Sequence, residues 1–481
     1  MASPSPLAGV IRLAAISRVL VLSLSLLSRL LFRPYDTSAS LHPPCLLLLT
    51  PTSPNSTTVA AADPFSSLAV WDGVHFLRAA ECGYEYEQSF AFLPLLPASL
   101  NLLARSLFAP LVPVLGYRAV LVISGYVLNN FAFVAAAAYF YRLSVLILKN
   151  PSAAYRASVL FCFNPASVFY SSLYSESLYA LFSLGGIFYV FTGANTIAMI
   201  MLALSGSARS NGALNAGYFC FQALLHAYDA AFQKKSPMLA VQTLVTGFLR
   251  SVFIFLPFFA FQAYGYLNIC LHGNTEELRP WCKAKGGWFL EVLSSEATAK
   301  LSFGFTVYSI MYYTKMLRQL IESISMHELI VATVEGRSIE ENKSSDVDIV
   351  LKSEFSTDVT NRARGHADVK RRKSVATKTH SASMHNNRSN DRSFEVSKDG
   401  CPILVLPFIL HLAFMTSTAF FVMHVQVSTR FLSASPPIYW AASHILVSPS
   451  CSKRWGYLIC VYFIAYILLG SLLFSNFYPF T

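Results

Sequence analysis

Long apolar runs broken by short polar clusters set the pattern of this chain. A helix needs roughly 20 residues to cross a hydrocarbon core of roughly 30 Å, and runs of that order recur from one end to the other. Residues 9–32 predict a first span, punctuated by Arg12, Arg18 and Arg29. Residues 34–88 read as an irregular loop containing Pro34, Pro43, Pro44, Pro51, Pro54 and Pro64. Pro94, Pro97, Pro110 and Pro113 then interrupt Phe90–Leu115, which predicts one or two helices lying against the membrane surface. A clear span is expected over 119–140, ending near Arg142 and Lys149. Residues 157–206 predict two or three spans, interrupted at Asn164-Pro165 and at Tyr174-Ser175-Glu176-Ser177, with a polar turn at Arg209-Ser210-Asn211-Gly212. Further spans are expected at 213–231, 240–268, 300–315, 402–423, 436–449 and 456–475, with a polar loop over 270–298. Nothing alternates with the period of two that a β-barrel requires. The fold class is all-α, a polytopic transmembrane protein.

Composition agrees with that pattern. Of 481 residues, 54% are hydrophobic and 13% charged, against roughly 25% charged in a soluble domain. Mean hydropathy is +0.49. The net charge of +11 does not call for nucleic acid, because much of the excess lies in one hydrophilic loop and at span ends. Basic residues retained in the cytosol account for it. That loop, 316–400, is polar, poor in aromatics and carries Lys370-Arg371-Arg372-Lys373, so it reads as a disordered basic cytosolic loop. The chain, 1–481, is then a single polytopic membrane domain, with a lumenal loop and surface helices over 34–118. Arg142 and Lys149 on the cytosolic side put Trp71-Asp72 in the lumen, and Lys234-Lys235 treated likewise put loop 270–298 there. Asn55-Ser56-Thr57 is a glycosylation sequon that only a lumenal loop can use. The nine cysteines include no Cys-x-x-Cys pair, so no metal site is indicated. Cys270 and Cys282 can bond if their loop is lumenal.

Candidate chemistry gathers where polar residues interrupt the apolar pattern. Trp71-Asp72-Gly73-Val74-His75-Phe76 leads into Glu81, Glu85 and Glu87, an acid-rich and aromatic patch at a membrane boundary. Asp72 can accept a proton from a sugar hydroxyl, and His75, three residues on and on the same face if the segment is helical, is a second catalytic candidate that can share that task or contact the phosphate of a lipid-linked donor. Arg78 can meet a phosphate, and Glu81 lies in the same patch. Glu176 is an acid between apolar segments, where acids face a cavity or a partner. In His424-Val425-Gln426-Val427-Ser428-Thr429-Arg430, Arg430 can clamp a phosphate while His424 and Gln426 contact sugar or headgroup oxygens. His226 and Asp229 read as a buried structural pair. No Walker, G-x-G-x-x-G or H-E-x-x-H motif is present, so nucleotide hydrolysis and zinc proteolysis have no support. A sugar-transfer reaction here would use a pre-activated lipid donor.

These blocks resemble the GPI mannosyltransferase 2 family, also called PIG-V. The resemblance runs through Trp71–Pro97, Asn164-Pro165-Ala166-Ser167-Val168-Phe169 to Ser177, Arg209-Ser210-Asn211-Gly212 and Arg279-Pro280-Trp281-Cys282. It continues through His424–Phe431, Pro436-Pro437-Ile438-Tyr439-Trp440 and Asn476-Phe477-Tyr478-Pro479-Phe480-Thr481. After Lys283 the chain departs from the family's aromatic-rich continuation, with Gly286-Gly287-Trp288 and then Glu291 to Lys300. The resemblance implies a GT-C glycosyltransferase architecture in the endoplasmic reticulum membrane, with the active site lumenal. It implies transfer of the second mannose, in α1,6 linkage, from dolichyl-phosphate mannose to the glycosylphosphatidylinositol precursor lipid. It also implies Asp72 as the catalytic acid of the first loop, no cofactor beyond the lipid donor, and a small accessory membrane subunit in some lineages. The alternatives are a transporter of lipid-linked glycans or small molecules, and a non-catalytic member of the family.

Overall fold

In the computed structural model, the described residues are 5–35, 45, 68–271, 402–421, 425–447 and 453–478. They are helical, with no strand among them. Four helices are long and apolar enough to cross a membrane: α1 (Pro6–Leu31), the long helix over Tyr117–Leu148, the one that begins at Pro237, and the one over Lys453–Ser475. The protein is an all-α polytopic membrane protein.

The stretch 34–88 is not loop throughout. Asp72–Cys82 forms helix α2, and a disulfide joins its last residue to Cys45, with Cα atoms 5.5 Å apart. The proline-rich segment forms α3 (Leu95–Arg105), a short 3-10 turn and α4 (Val112–Leu115). These two helical pieces meet at a 69° bend, as the placement of Pro110 and Pro113 demands. The expected span at 119–140 extends to α5 (Tyr117–Leu148) and ends where Lys149 turns left-handed.

Residues 157–206 correct the expectation of two or three spans. They contribute to α6 (Pro151–Cys162), α7 (Ser167–Ser171), α8 (Glu176–Phe191) and α9 (Asn195–Ala208), each shorter than a full crossing. Unwound backbone survives at membrane depth only where other protein groups satisfy it, and both breaks meet that condition. At Asn164-Pro165, the Arg18 guanidinium reaches from α1 to donate to the Ser167 carbonyl (2.8 Å), the Cys162 carbonyl (3.3 Å) and the Ser171 hydroxyl (3.0 Å). It also stacks 3.8 Å over the Phe133 ring. At the second break, Asn129 of α5 donates to the carbonyls of Ser172 (2.5 Å) and Tyr174 (2.9 Å), and Asn130 donates to that of Ser171 (3.3 Å). Arg18 of α1 and Asn129 and Asn130 of α5 thus hold these breaks.

The chain continues through α10 (Ala216–Tyr228) and α11 (Pro237–Tyr266), then α12 (Leu406–Phe421), α13 (Val425–Leu432), α14 (Pro436–Val447) and α15 (Lys453–Ser475). The aromatic core sits between α5, α6 and α14. Phe161 stacks on Phe133 (5.3 Å) and Phe140 (4.7 Å), and Tyr439 meets Phe140 and Phe161 edge-on. Trp440 is buried beside them with its indole N–H on the Ser144 hydroxyl (2.8 Å), the partner a buried indole requires. Cys270 is disulfide-bonded, whereas Cys282, the expected span 300–315, loop 316–400 and the sequon at Asn55 lie outside the described residues.

Candidate active site

The end of α15 supports the turn that carries the first residue of the site. Arg29, near the end of α1, donates to the Ser475 carbonyl at the end of α15 (2.6 Å). The Trp71 indole donates to the neighbouring Phe474 carbonyl (3.2 Å). Trp71 has a φ of 52°, a conformation uncommon for a bulky side chain and one that marks functional positions. Its indole hydrogen bond and the Phe477 ring, 6.1 Å away, hold it there. The turn launches α2 with Asp72 in its first turn. The Asp72 N–H, an unpaired donor at a helix start, donates to the hydroxyl of buried Tyr174 (3.0 Å).

Asp72 then enters a chain of alternating charge. Arg430 of α13 donates through Nη1 to Asp72 Oδ2 (2.9 Å) and through Nε to Glu176 Oε1 (2.8 Å). Arg209 pairs with the same Glu176 oxygen. Four residues from four separate segments thus form one quartet, Asp72–Arg430–Glu176–Arg209, whose formal charges cancel. Exposure falls from Asp72 to Glu176: the Asp72 side chain is 36% accessible, Arg430 19% and Glu176 1%, with Arg209 beyond it at 12%. The buried acid anchors two arginines and the outermost acid meets solvent. Rings of Phe169 (5.1 Å) and Tyr174 (4.9 Å) flank the Arg430 guanidinium, which favours the cation electrostatically. Below it, the Ser433 hydroxyl donates to the Arg430 carbonyl (2.6 Å), lies 2.9 Å from the Tyr170 hydroxyl, and its carbonyl accepts from Tyr439 (2.5 Å). This network fixes the end of α13 and so the arginine.

Some hydrogen-bonding capacity in the quartet is left over. Among the described residues nothing donates to Asp72 Oδ1, and Arg430 Nη2 has no partner. Glu176 Oε2 and both amide atoms of Asn211 are buried without one. Buried polar atoms in that state are rare enough to need a reason, and they lie on either side of Arg209 in the sequence.

Arg209 was the residue that sequence reasoning missed, since Arg209-Ser210-Asn211-Gly212 reads as a plain polar turn. The turn is instead packed hard against α9: a Cβ on Gly212 would lie 2.1 Å from the Ser205 carbonyl oxygen. Asn215 pins it further, donating to the hydroxyls of Ser183 and Ser205 (both 3.0 Å). Gly212→Ala is therefore expected to lower stability by about 1–3 kcal/mol, the range for overpacking, measured as a lower thermal midpoint of the purified protein in detergent. An unchanged midpoint would show that the turn can move aside.

The other candidates lie elsewhere. The segment read as loop is helical here and His75 lies on α2, yet it stacks on Phe92 (4.9 Å) and faces a separate cavity. Arg78 donates through Nε (3.0 Å) and Nη2 (2.6 Å) to Glu85 Oε2. Glu81 pairs with Arg118 at the head of α5 (3.0 Å). Tyr84 closes this patch by donating to the Phe92 carbonyl (2.9 Å), and burial pushes its hydroxyl above the usual phenol range, so it stays a donor. His424 and the side chain of Gln426 lie outside the described residues. Asp229, expected to pair with His226, makes an ion pair with Lys234 (3.1 Å). Cys45, Cys82 and Glu85 come together, but both sulfurs are committed to the disulfide and do not form a metal site.

A family profile described as Mannosyltransferase (PIG-V) matches residues 7–291 and 302–481. The interval between the two blocks, 292–301, overlaps the second half of the departing stretch, whose Gly286-Gly287-Trp288 lies inside the first block. The chain is similar to GPI alpha-1,6-mannosyltransferase 2 of Cricetulus griseus, 31% identical over 56% of this chain and 53% of that protein. It is 32% identical to the Homo sapiens protein of the same name over 44% of this chain and 43% of that one. The matched stretch spans about half the length of these two relatives. The Mus musculus protein aligns at 26% identity over 98% of both chains. No solved structure matches the chain.

Proposed function

The chain belongs to the PIG-V mannosyltransferase family, and from that premise we propose that it transfers mannose in α1,6 linkage to a glycosylphosphatidylinositol precursor. The donor is dolichyl-phosphate mannose and the mannose is the second of the glycan. The reaction takes place on the lumenal face of the endoplasmic reticulum membrane, and a small accessory membrane subunit belongs to the same proposal. The names of the relatives support the linkage and the acceptor. The lack of any nucleotide motif in the sequence supports a donor already activated on a lipid. The Cys45–Cys82 disulfide closes α2 at the end of the bundle where Asp72 sits, and disulfides form and persist in oxidising compartments such as this lumen.

The observation that carries the reaction is the quartet. In a single inverting displacement, the acceptor 6-hydroxyl oxygen attacks the anomeric carbon of the donor mannose. Its proton passes to Asp72 Oδ1, the carboxylate oxygen left unengaged by Arg430. As the new C–O bond forms, the bond from the anomeric carbon to the phosphate oxygen breaks, and its electron pair leaves with dolichyl phosphate. The donor is a phosphate ester already, so the protein must chiefly orient the reactants and stabilise the charge of the leaving group. Arg430 supplies the unengaged Nη2 for that charge, while Glu176 and the two aromatic rings hold its guanidinium in place. The unpaired Oε2 of Glu176 is met by substrate or bound water once the site is filled. No metal enters this scheme.

Complementation tests it. Cells that accumulate the precursor with a single mannose should, on expressing this chain, extend it by one α1,6-linked mannose, read by mass spectrometry and linkage-specific mannosidase digestion. Persistent accumulation of the one-mannose lipid, with the chain present in the membrane, would refute the proposal.

A further inference from the structure

We infer that a second pocket beside Asp72 binds one pyranose ring of the acceptor glycan, next to the ring that reacts; this rests on the function proposed above. Asp72, His75 and Arg78 recur every third residue along α2, each turned about 60° from the one before, so His75 lies between Asp72 and Arg78 around the helix. His75 and Arg78 open into a cavity of about 150 Å³, lined also by Glu85, Tyr86, Gln88 and Ser89. A cavity of about 150 Å³ admits a six-carbon ring such as benzene, so this one has room for a single sugar ring. The rise from Asp72 to His75 is about 4.5 Å along the helix, close to the advance from one sugar to the next.

Chemistry selects the occupant. Arg78 is the pocket's cation, but Glu85 takes both its Nε and its Nη2. The ion pair is largely buried, at 15% and 6% accessibility, so the pocket carries no uncompensated positive charge for a phosphate. The expectation that Arg78 meets a phosphate gives way to a structural role in the pocket wall. Among the described residues the His75 imidazole and the Gln88 amide have no hydrogen-bond partner, and both side chains are exposed. An imidazole and an amide offer donors and acceptors together, which suits vicinal hydroxyls. Phe92 backs one face of the His75 ring (4.9 Å, 11° from parallel), so the ring holds its orientation. The Cys45–Cys82 disulfide and the turn at Gly83, with φ of 79°, close the end of α2 next to the pocket.

The test uses the full chain purified in detergent and two synthetic lipid acceptors, one ending in mannose alone and one carrying mannose joined to its neighbouring sugar. Wild type is expected to prefer the longer acceptor in kcat/KM. In Gln88→Leu that preference should fall about tenfold, carried by KM for the longer acceptor, with the thermal midpoint unchanged because Gln88 is exposed. A preference that survives in Gln88→Leu, or none in wild type, overturns the pocket. Binding of the delipidated disaccharide, followed by saturation-transfer NMR, separates this inference from the proposed function. If wild type transfers no mannose, sugar signals that weaken in Gln88→Leu still support the pocket, and signals equal in both proteins reject it.

Discussion

Asp72→Asn is expected to lower mannose transfer by about 10²–10⁴-fold, the range for loss of a general base, without unfolding the protein. Asparagine keeps the shape of the side chain and an oxygen for Arg430, so the quartet retains its geometry. It no longer accepts the proton of the acceptor hydroxyl. Because Asp72 is the most exposed member of the quartet, the positive charge left over when it is neutralised sits at the solvent end, and Arg430 remains paired with the Glu176 carboxylate it shares with Arg209. The assay is transfer of labelled mannose from dolichyl-phosphate mannose in membranes, alongside the thermal midpoint of purified protein. Near-normal transfer by the variant would remove Asp72 from the mechanism. A collapse in midpoint would make it a structural residue instead.

Glu176→Gln has the opposite character. This acid is 1% accessible and its Oε1 is shared by two arginines. Neutralising it leaves two guanidinium groups near a buried site with Asp72 as their only counter-charge in the quartet. Breaking a buried pair from one side is worth about 3–5 kcal/mol, so a large fall in thermal midpoint is expected together with loss of transfer. Adding Arg209→Met should restore part of the stability, because one stranded cation departs with its partner. The coupling between the two substitutions is the measurement that matters. Additive losses in the double variant would mean that the two side chains do not act as a unit.

Much of the site was legible because charge is conspicuous in an apolar sequence. Asp72, Glu176 and Arg430 each interrupt a hydrophobic run, and an ionisable group in that setting has to find a partner. Sequence did not say that the partners were each other, since 358 positions separate Asp72 from Arg430. Arg209 escaped notice for a physical reason: an arginine at the end of a span is the ordinary mark of an interface, and nothing local separates that from a buried counter-ion. His75 lies on a helix where the prolines around it suggest a loop, and it turns to a different cavity because residue spacing fixes a face and not the neighbours across it. The four short helices between Pro151 and Ala208 were hidden by the same kind of averaging. A hydropathy window senses apolar length and is blind to Arg18 and Asn129, whose long-range bonds make the interruptions tolerable. The Cys45–Cys82 bridge spans 37 positions, and pairing among several cysteines does not follow from their order.

The support of Trp71 carries an implication for biogenesis. The carbonyls that hold the Trp71 indole and Arg29 belong to Phe474 and Ser475, so an earlier-made part of the bundle is held by a helix made more than 400 residues later. Translation proceeds from the other end, and early segments insert while late ones are still unmade. A nascent chain halted before Phe474 would already carry Asp72 and yet lack the scaffold that aims it, so the site would be assembled only once that later helix is made.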